Sequence, residues 1–211
     1  MSPRPRTTSD EAILTAAGRA IARRGPSRVT LADVAREAGT TAATLVQRFG
    51  SKRRLLLALA SAAAEGNKRE FAALRTTYSS PAAALLGMAD CMSRMTPTPA
   101  QISNGLAFLQ MDLTDPDFHH LALASGGVIH TEIRRLVSDA VKAGELAGVQ
   151  VTPLARALEA TLHGSMLSWA IARQGTLRSW LRRDLDTVLR PFRERAKRRS
   201  RSRPKRQQAA R

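Results

Sequence analysis

Between residues 30 and 54 the chain reads TLADVAREAGTTAATLVQRFGSKRR, which sets hydroxyls, an amide and cations in close order. Thr41, Ala42 and Thr44 carry groups suited to base edges: a hydroxyl donates or accepts, and a methyl can meet the thymine methyl. Gln47 suits adenine, and Arg48 suits guanine or phosphate. Thr30, Lys52 and Arg53 are suited to gripping phosphate, which positions a protein without reading sequence. Lys52, Arg53 and Arg54 crowd what would be the first turn of a helix, where the helix dipole favours anions over cations. An order that is locally costly yet suits a bound phosphate points to a phosphate partner. No Asn or Arg stands at the front of this stretch for a bidentate base contact. Specificity then rests on few hydrogen bonds plus DNA shape.

Three helices are needed to hold these groups. Thr30 is a helix N-cap, with Asp33 a short stand-in for the usual Glu of a capping box. Leu31, Val34, Ala35 and Ala38 follow at helical spacing, and Gly39 suits a left-handed C-cap. Thr40 or Thr41 caps a second short helix that buries Leu45 and Phe49. Gly50 stops it, and Ser51 caps the next. Helix, glycine turn, helix is the helix-turn-helix layout, whose second helix reads the major groove. A preceding helix, from Ser9 to about Arg24 with Ile13, Leu14, Ala17 and Ile21 inward, braces the pair, and Gly25-Pro26 ends it.

TLADVAREAG, the hydroxyl-rich TTAATL, and F-G-S-K followed by RRLL resemble the N-terminal DNA-binding domain of the tetracycline-repressor (TetR) family in order and spacing. The likeness covers about the first sixty residues; the remainder matches in length and helical character only. One position departs: the family usually has Tyr after the Leu of the recognition helix, and here it is Val46. A hydroxyl contact to phosphate is absent there, and Arg48 is the candidate to replace it. The resemblance implies a transcriptional regulator, and its last two helices are expected to pair with a second copy in a four-helix bundle. Leu158, Leu162, Leu181, Leu185 and Leu189 are the expected homodimer face. A two-fold dimer also places two reading helices about 34–36 Å apart on a palindromic operator in double-stranded DNA. Family members sense a small molecule in a helical cavity of the C-terminal domain. The candidate lining is Met88, Met92, Phe108, Met111, His130, Met166 and Trp169, whose low charge suggests an apolar or aromatic effector.

Ala and Leu dominate the 211 residues, 43% are hydrophobic and strand-favouring runs are missing, so an all-α fold is expected. The net charge of +17 is uneven: residues 1–60 carry 11 basic and 4 acidic side chains, residues 61–192 carry 13 and 12, and residues 193–211 carry 10 and 1. Basic ends on a neutral body are the footprint of a polyanion binder. The expected organisation is a basic arm (1–8), a helix-turn-helix domain (9–56), a helical effector-binding and dimerisation domain (57–192), and a low-complexity basic tail (193–211) that is disordered when free. One cysteine, Cys91, excludes an intrachain disulfide. Without a run of roughly 18 apolar residues there is no membrane span, and a cytoplasmic protein is expected.

Other chemistry is poorly supported. Asp112, Asp115, Asp117, His119 and His120 hint at a metal site, but Thr114-Asp115-Pro116-Asp117 is a good helix start. Adjacent histidines on a helix point about 100° apart, poorly placed for one ion. His163-Gly164-Ser165 lacks the strand and glycine spacing of a hydrolase elbow. Neither an enzyme nor a cofactor is expected. The main rival is a DNA-coating protein that uses its basic ends without sequence preference.

Overall fold

The computed structural model describes residues 8–202, with side chains through residue 200. The expected arm falls almost wholly outside the described residues, as does the tail beyond residue 202. Within them the chain is all-helical: α1 (Asp10–Arg24), α2 (Leu31–Ala38), α3 (Ala42–Phe49), α4 (Lys52–Thr77), α5 (Pro81–Met95), α6 (Pro99–Thr114), α7 (Pro116–Lys142), α8 (Val151–Ala172) and α9 (Leu177–Ser202). None of these helices is long and apolar enough to cross a membrane.

The backbone groups into two compact units, the first from residues up to 67 with 96–127, the second from 68–95 with 128 onward. Long helices α4 and α7 each contribute to both. The expected boundary follows residue 56; by compactness the first unit instead extends to Asn67 and takes in α6.

In the first unit, Ile13, Ala17, Val34, Leu45, Leu55 and Phe118 form a core with the inner faces of α1 to α3. Phe108 and Met111 of α6 pack against it, and Phe108 meets Phe118 edge-to-face at 5.8 Å. Asn104 of α6 is buried and donates to the Ala22 carbonyl at 2.8 Å, occupying a free acceptor at the end of α1. Gly25 (φ 79°) lies beside it, and a Cβ there would come within 2.9 Å of the Asn104 Oδ1.

The second unit is built on α5, α8 and α9. Leu177, Leu181, Leu185 and Leu189 recur every fourth residue along α9 and are buried, with Leu158 and Leu162 of α8 and Leu85 and Met88 of α5 also in the core. The five leucines expected to face a second copy are therefore consumed within one chain. Four of the five have no exposed surface and Leu162 keeps 6%, which leaves little to offer a partner. Glu132, buried here, is held by Arg75 (2.5 Å) and Arg135 (2.6 Å), the pairing a buried carboxylate requires. Ser165 donates to Asp184 at 2.7 Å and ties α8 to α9. Burial, with Glu70 beside it, pushes the Cys91 thiol up to about 11, so it is a poor nucleophile.

The basic tail begins later than composition suggests. α9 continues past Arg193 to Ser202, with Ala196 buried, Arg193 paired to Asp186 at 2.5 Å, and the Ala147 amide donating to the Phe192 carbonyl at 3.1 Å. A turn after α7 gives the helix something to pack on, which composition alone cannot register.

Candidate nucleic-acid interface

Local capping sets the reading pair. The Asp33 amide donates to Thr30 Oγ1 (3.1 Å) and the Thr30 amide to Asp33 Oδ2 (3.0 Å), so the short acid completes a capping box. The Thr30 hydroxyl and amide, with Arg24 and Arg36 beyond, hold the Asp33 carboxyl below its ordinary value. Gly39 takes the left-handed conformation (φ 64°, ψ 37°), and the Thr40 amide closes onto the Ala35 carbonyl at 2.9 Å. Thr41, rather than Thr40, caps α3: the Thr44 amide donates to its hydroxyl at 3.2 Å, and the two hydroxyls lie 3.0 Å apart. Ser51 accepts from the Arg54 amide at 3.2 Å and starts α4. Arg19 and Arg23 of α1 both engage Glu37 of α2, and these two arginines hold its carboxyl below its ordinary value.

That cap sets the rotation of α3. Leu45 is fully buried, and Ala42 and Phe49 pack on the same side against the core. The outer face is Ala43, Val46 and Gln47, with Val46 49% exposed. Two sequence expectations change here. Ala42, expected at base edges, faces inward, because it lies three residues before Leu45; the exposed methyl is that of Ala43. Thr44 is half-buried with its hydroxyl beside that of Thr41, so the two act as a capped pair at the start of the helix. Gln47, whose direction periodicity leaves open, is exposed.

The cations differ in how free they are. Arg48 contacts the Thr8 carbonyl and pairs with Asp10 at 3.1 Å, so it is turned toward the start of α1. Lys52 donates to the Ser27 carbonyl at 2.7 Å, which leaves two ammonium protons. Arg53 is paired to Asp115 and Asp117. Arg54, named in the sequence only as one of three cations crowding this turn, is exposed and has no carboxylate partner among the described residues. Its signal is present in the RR after Lys52, but only the packing separates the two arginines.

Of the expected effector lining, Phe108 and Met111 belong to the first unit, and Met88, Met92, His130, Met166 and Trp169 belong to the second. Met88 and Trp169 are core, Met92 and Met166 are half-buried, and His130 pairs with Glu159 at 3.3 Å. A cavity of about 460 Å³ in the second unit is bounded by none of them; Arg182, Arg193, Lys197 and Glu145 stand in its wall. Of the acidic residues that hint at a metal site, Asp112 lies in α6, while Asp115 and Asp117 start α7, with the Asp117 amide donating to Asp115 Oδ1 at 3.0 Å.

Residues 13–59 match the model of the bacterial regulatory proteins of the tetR family. No curated protein matches the chain significantly. Among solved structures, a candidate transcriptional regulator from Saccharomonospora viridis in complex with choline is 23% identical, with 86% of this chain and 95% of that chain covered at a TM-score of 0.70. A TetR transcriptional regulator from Streptomyces coelicolor is 22% identical over 88% and 98% of the two chains, at 0.62. The regulator FadR from Bacillus subtilis, in complex with stearoyl-CoA, is 15% identical over 86% and 98%, also at 0.62. At these identities the structures speak for the fold. The family is one of transcription factors and not of enzymes. Residues 13–59 are thus similar to the tetR family of bacterial regulatory proteins, and the described residues have the all-helical fold of the regulators above.

Proposed function

We propose that this protein binds an operator in double-stranded DNA as a homodimer and acts as a repressor that a small molecule releases. One observation carries the DNA reading: α3 is held by its caps with Ala43, Val46 and Gln47 outward, directly before a first turn bearing Lys52 and Arg54. An exposed helix face of small, apolar and amide side chains suits a major groove, and the flanking cations suit its phosphates. Thr41 and Thr44 meet the groove at its edge, and Thr30 grips phosphate beside them. Residues 9–56 are the reading domain in this account, and the protein works in the cytoplasm because its partner is DNA.

Dimerisation needs a face other than the buried leucines. α8 offers one: Ala157, Ala160, Gly164, Leu167 and Ile171 are exposed at spacings of three and four, with Ile171 84% exposed. Small residues followed by large apolar ones allow close helix approach and then burial. Release by a small molecule is supported by the fold likeness to regulators solved with choline and with stearoyl-CoA.

Competition binding at physiological salt, on the protein's own upstream region and on random DNA, tests the reading. The full chain and a chain ending at residue 202 both prefer the upstream region by a hundredfold or more. Equal binding to both DNAs by both forms would replace it with the DNA-coating rival, which the exposed cations Arg195, Lys197 and Arg198 favour. Lys52→Ala weakens binding to all duplexes alike, whereas Gln47→Ala shifts preference among them.

A further inference from the structure

We propose that Asp115 and Asp117 at the start of α7 act as an intrachain decoy for phosphate, so that duplex DNA must displace them before Arg53 can reach the backbone. The inference rests on the DNA-binding reading and concerns how that site is held in check. Arg53 Nη2 lies 3.0 and 2.7 Å from the two carboxylate oxygens of Asp115 and 3.0 Å from Asp117 Oδ2. Its guanidinium carbon sits 5.5 Å from the centre of the Phe118 ring, which gives the bound position a second support. The three residues belong to one compact unit, although 62 positions separate Arg53 from Asp115.

Three features argue for a decoy over a plain tie. First, the acids are selective. Of the three adjacent cations on the first turn of α4, Lys52 bonds a carbonyl and Arg54 has no carboxylate partner among the described residues, while Arg53 has two acids. Second, the balance is wrong for a tie alone: two carboxylates on one guanidinium leave a net negative charge beside the proposed interface. One acid would suffice to anchor it. Third, the cluster is open to exchange. The Arg53 side chain is 47% exposed and that of Asp117 65%, and exposed ion pairs hold weakly, so a phosphate can replace them. Asp115 also caps α7 through the Asp117 amide, whereas the Asp117 carboxylate is directed at Arg53.

The test compares five forms of the full chain: the natural one, Asp115→Asn with Asp117→Asn, Asp117→Asn alone, Arg53→Gln, and all three changes together. Binding to the upstream duplex and to a random duplex is titrated across a sodium chloride series. Asn keeps the N-cap of α7, and Asp117→Asn alone, which leaves the cap untouched, guards against a folding defect. The Asn pair tightens binding to both duplexes roughly three- to tenfold at low salt, the yield of two exposed ion pairs released. The slope of log affinity against log salt stays close to that of the natural chain, because Arg53 reaches the same phosphate in both complexes, and Arg53→Gln flattens it by about 0.9. Asp117→Asn alone gives part of that gain, and Arg53→Gln abolishes it. An equal gain in the Arg53→Gln background would overturn the decoy in favour of a general field effect. Weaker binding by the Asn pair would overturn it in favour of a structural tie. If the natural chain and every variant fail on both duplexes, the DNA-binding reading itself falls, and the decoy with it.

Discussion

The first turn of α4 and the last turns of α9 are both crowded with cations, but acids treat them differently. In the first unit carboxylates are placed one by one: Glu37 takes Arg19 and Arg23, Asp10 takes Arg48, and Asp115 with Asp117 takes Arg53. Along α9, Asp186 takes Arg190 and Arg193, and beyond it Arg195, Lys197 and Arg198 stand exposed without a carboxylate partner among the described residues. Arg195 instead rests over the Phe192 ring. Cations pinned by acids have a defined direction and suit a site with a fixed register. Unpaired cations on an exposed helix add attraction with little geometry. On the proposed reading, the same kind of charge serves a reading head in one place and an adhesive surface in the other.

Four changes would break or sharpen this contrast, and the largest effect is expected in the reading head. Leu45→Ala removes the buried anchor that sets the rotation of α3 and costs about 2–5 kcal/mol. Urea denaturation reads that loss, and sequence preference disappears while attraction to DNA through α9 persists at low salt. Next, Ile171→Glu splits the proposed dimer without unfolding the chain, because its side chain is 84% exposed. Light scattering reads a monomer and preference falls by tenfold or more; a dimer that survives the change would exclude this face of α8.

Thr30→Ala has a smaller effect, about 1 kcal/mol for a lost N-cap, and a pH dependence that identifies its source. The folded state lowers the Asp33 pKa, chiefly through the Thr30 hydroxyl. Stability from that carboxylate is present above the ordinary carboxylate range and is lost as pH falls through the lowered value. The gap between natural chain and variant is therefore widest near neutrality and narrows in acid, as chemical denaturation at a series of pH values would show. Smallest in stability is the combination Arg195→Gln, Lys197→Gln and Arg198→Gln, which stays within about 0.5 kcal/mol. It flattens the salt dependence of DNA binding by about 0.9 for each phosphate no longer neutralised, equally on upstream and random duplexes.

The reading head is legible in the chain because its determinants are local. Thr30 with Asp33, Gly39, Thr41 and Ser51 each act within four residues, so their roles follow from their neighbours. Ala42 is placed at base edges by its early position in the helix, whereas its spacing of three residues from the buried Leu45 sets it on the inner side and leaves Ala43 outward. α8 is hard to read for another reason. It carries two apolar stripes, Leu154, Leu158, Leu162 and Trp169 on one side and Leu167 with Ile171 on another. Periodicity shows both but cannot say which one α9 covers.

Helix content, the caps of the helix-turn-helix and the basic character of both ends were written in the residues alone, because propensity, capping and charge are local or additive. Which leucines are buried, which arginine at the start of α4 meets a carboxylate, and how α9 packs up to Ala196 depended on contacts made far along the chain. Arg53 meets acids 62 and 64 positions away, and Ala196 packs in a core that no neighbour in sequence provides. Burial and ion pairing are properties of three-dimensional proximity, and the tertiary structure decided them.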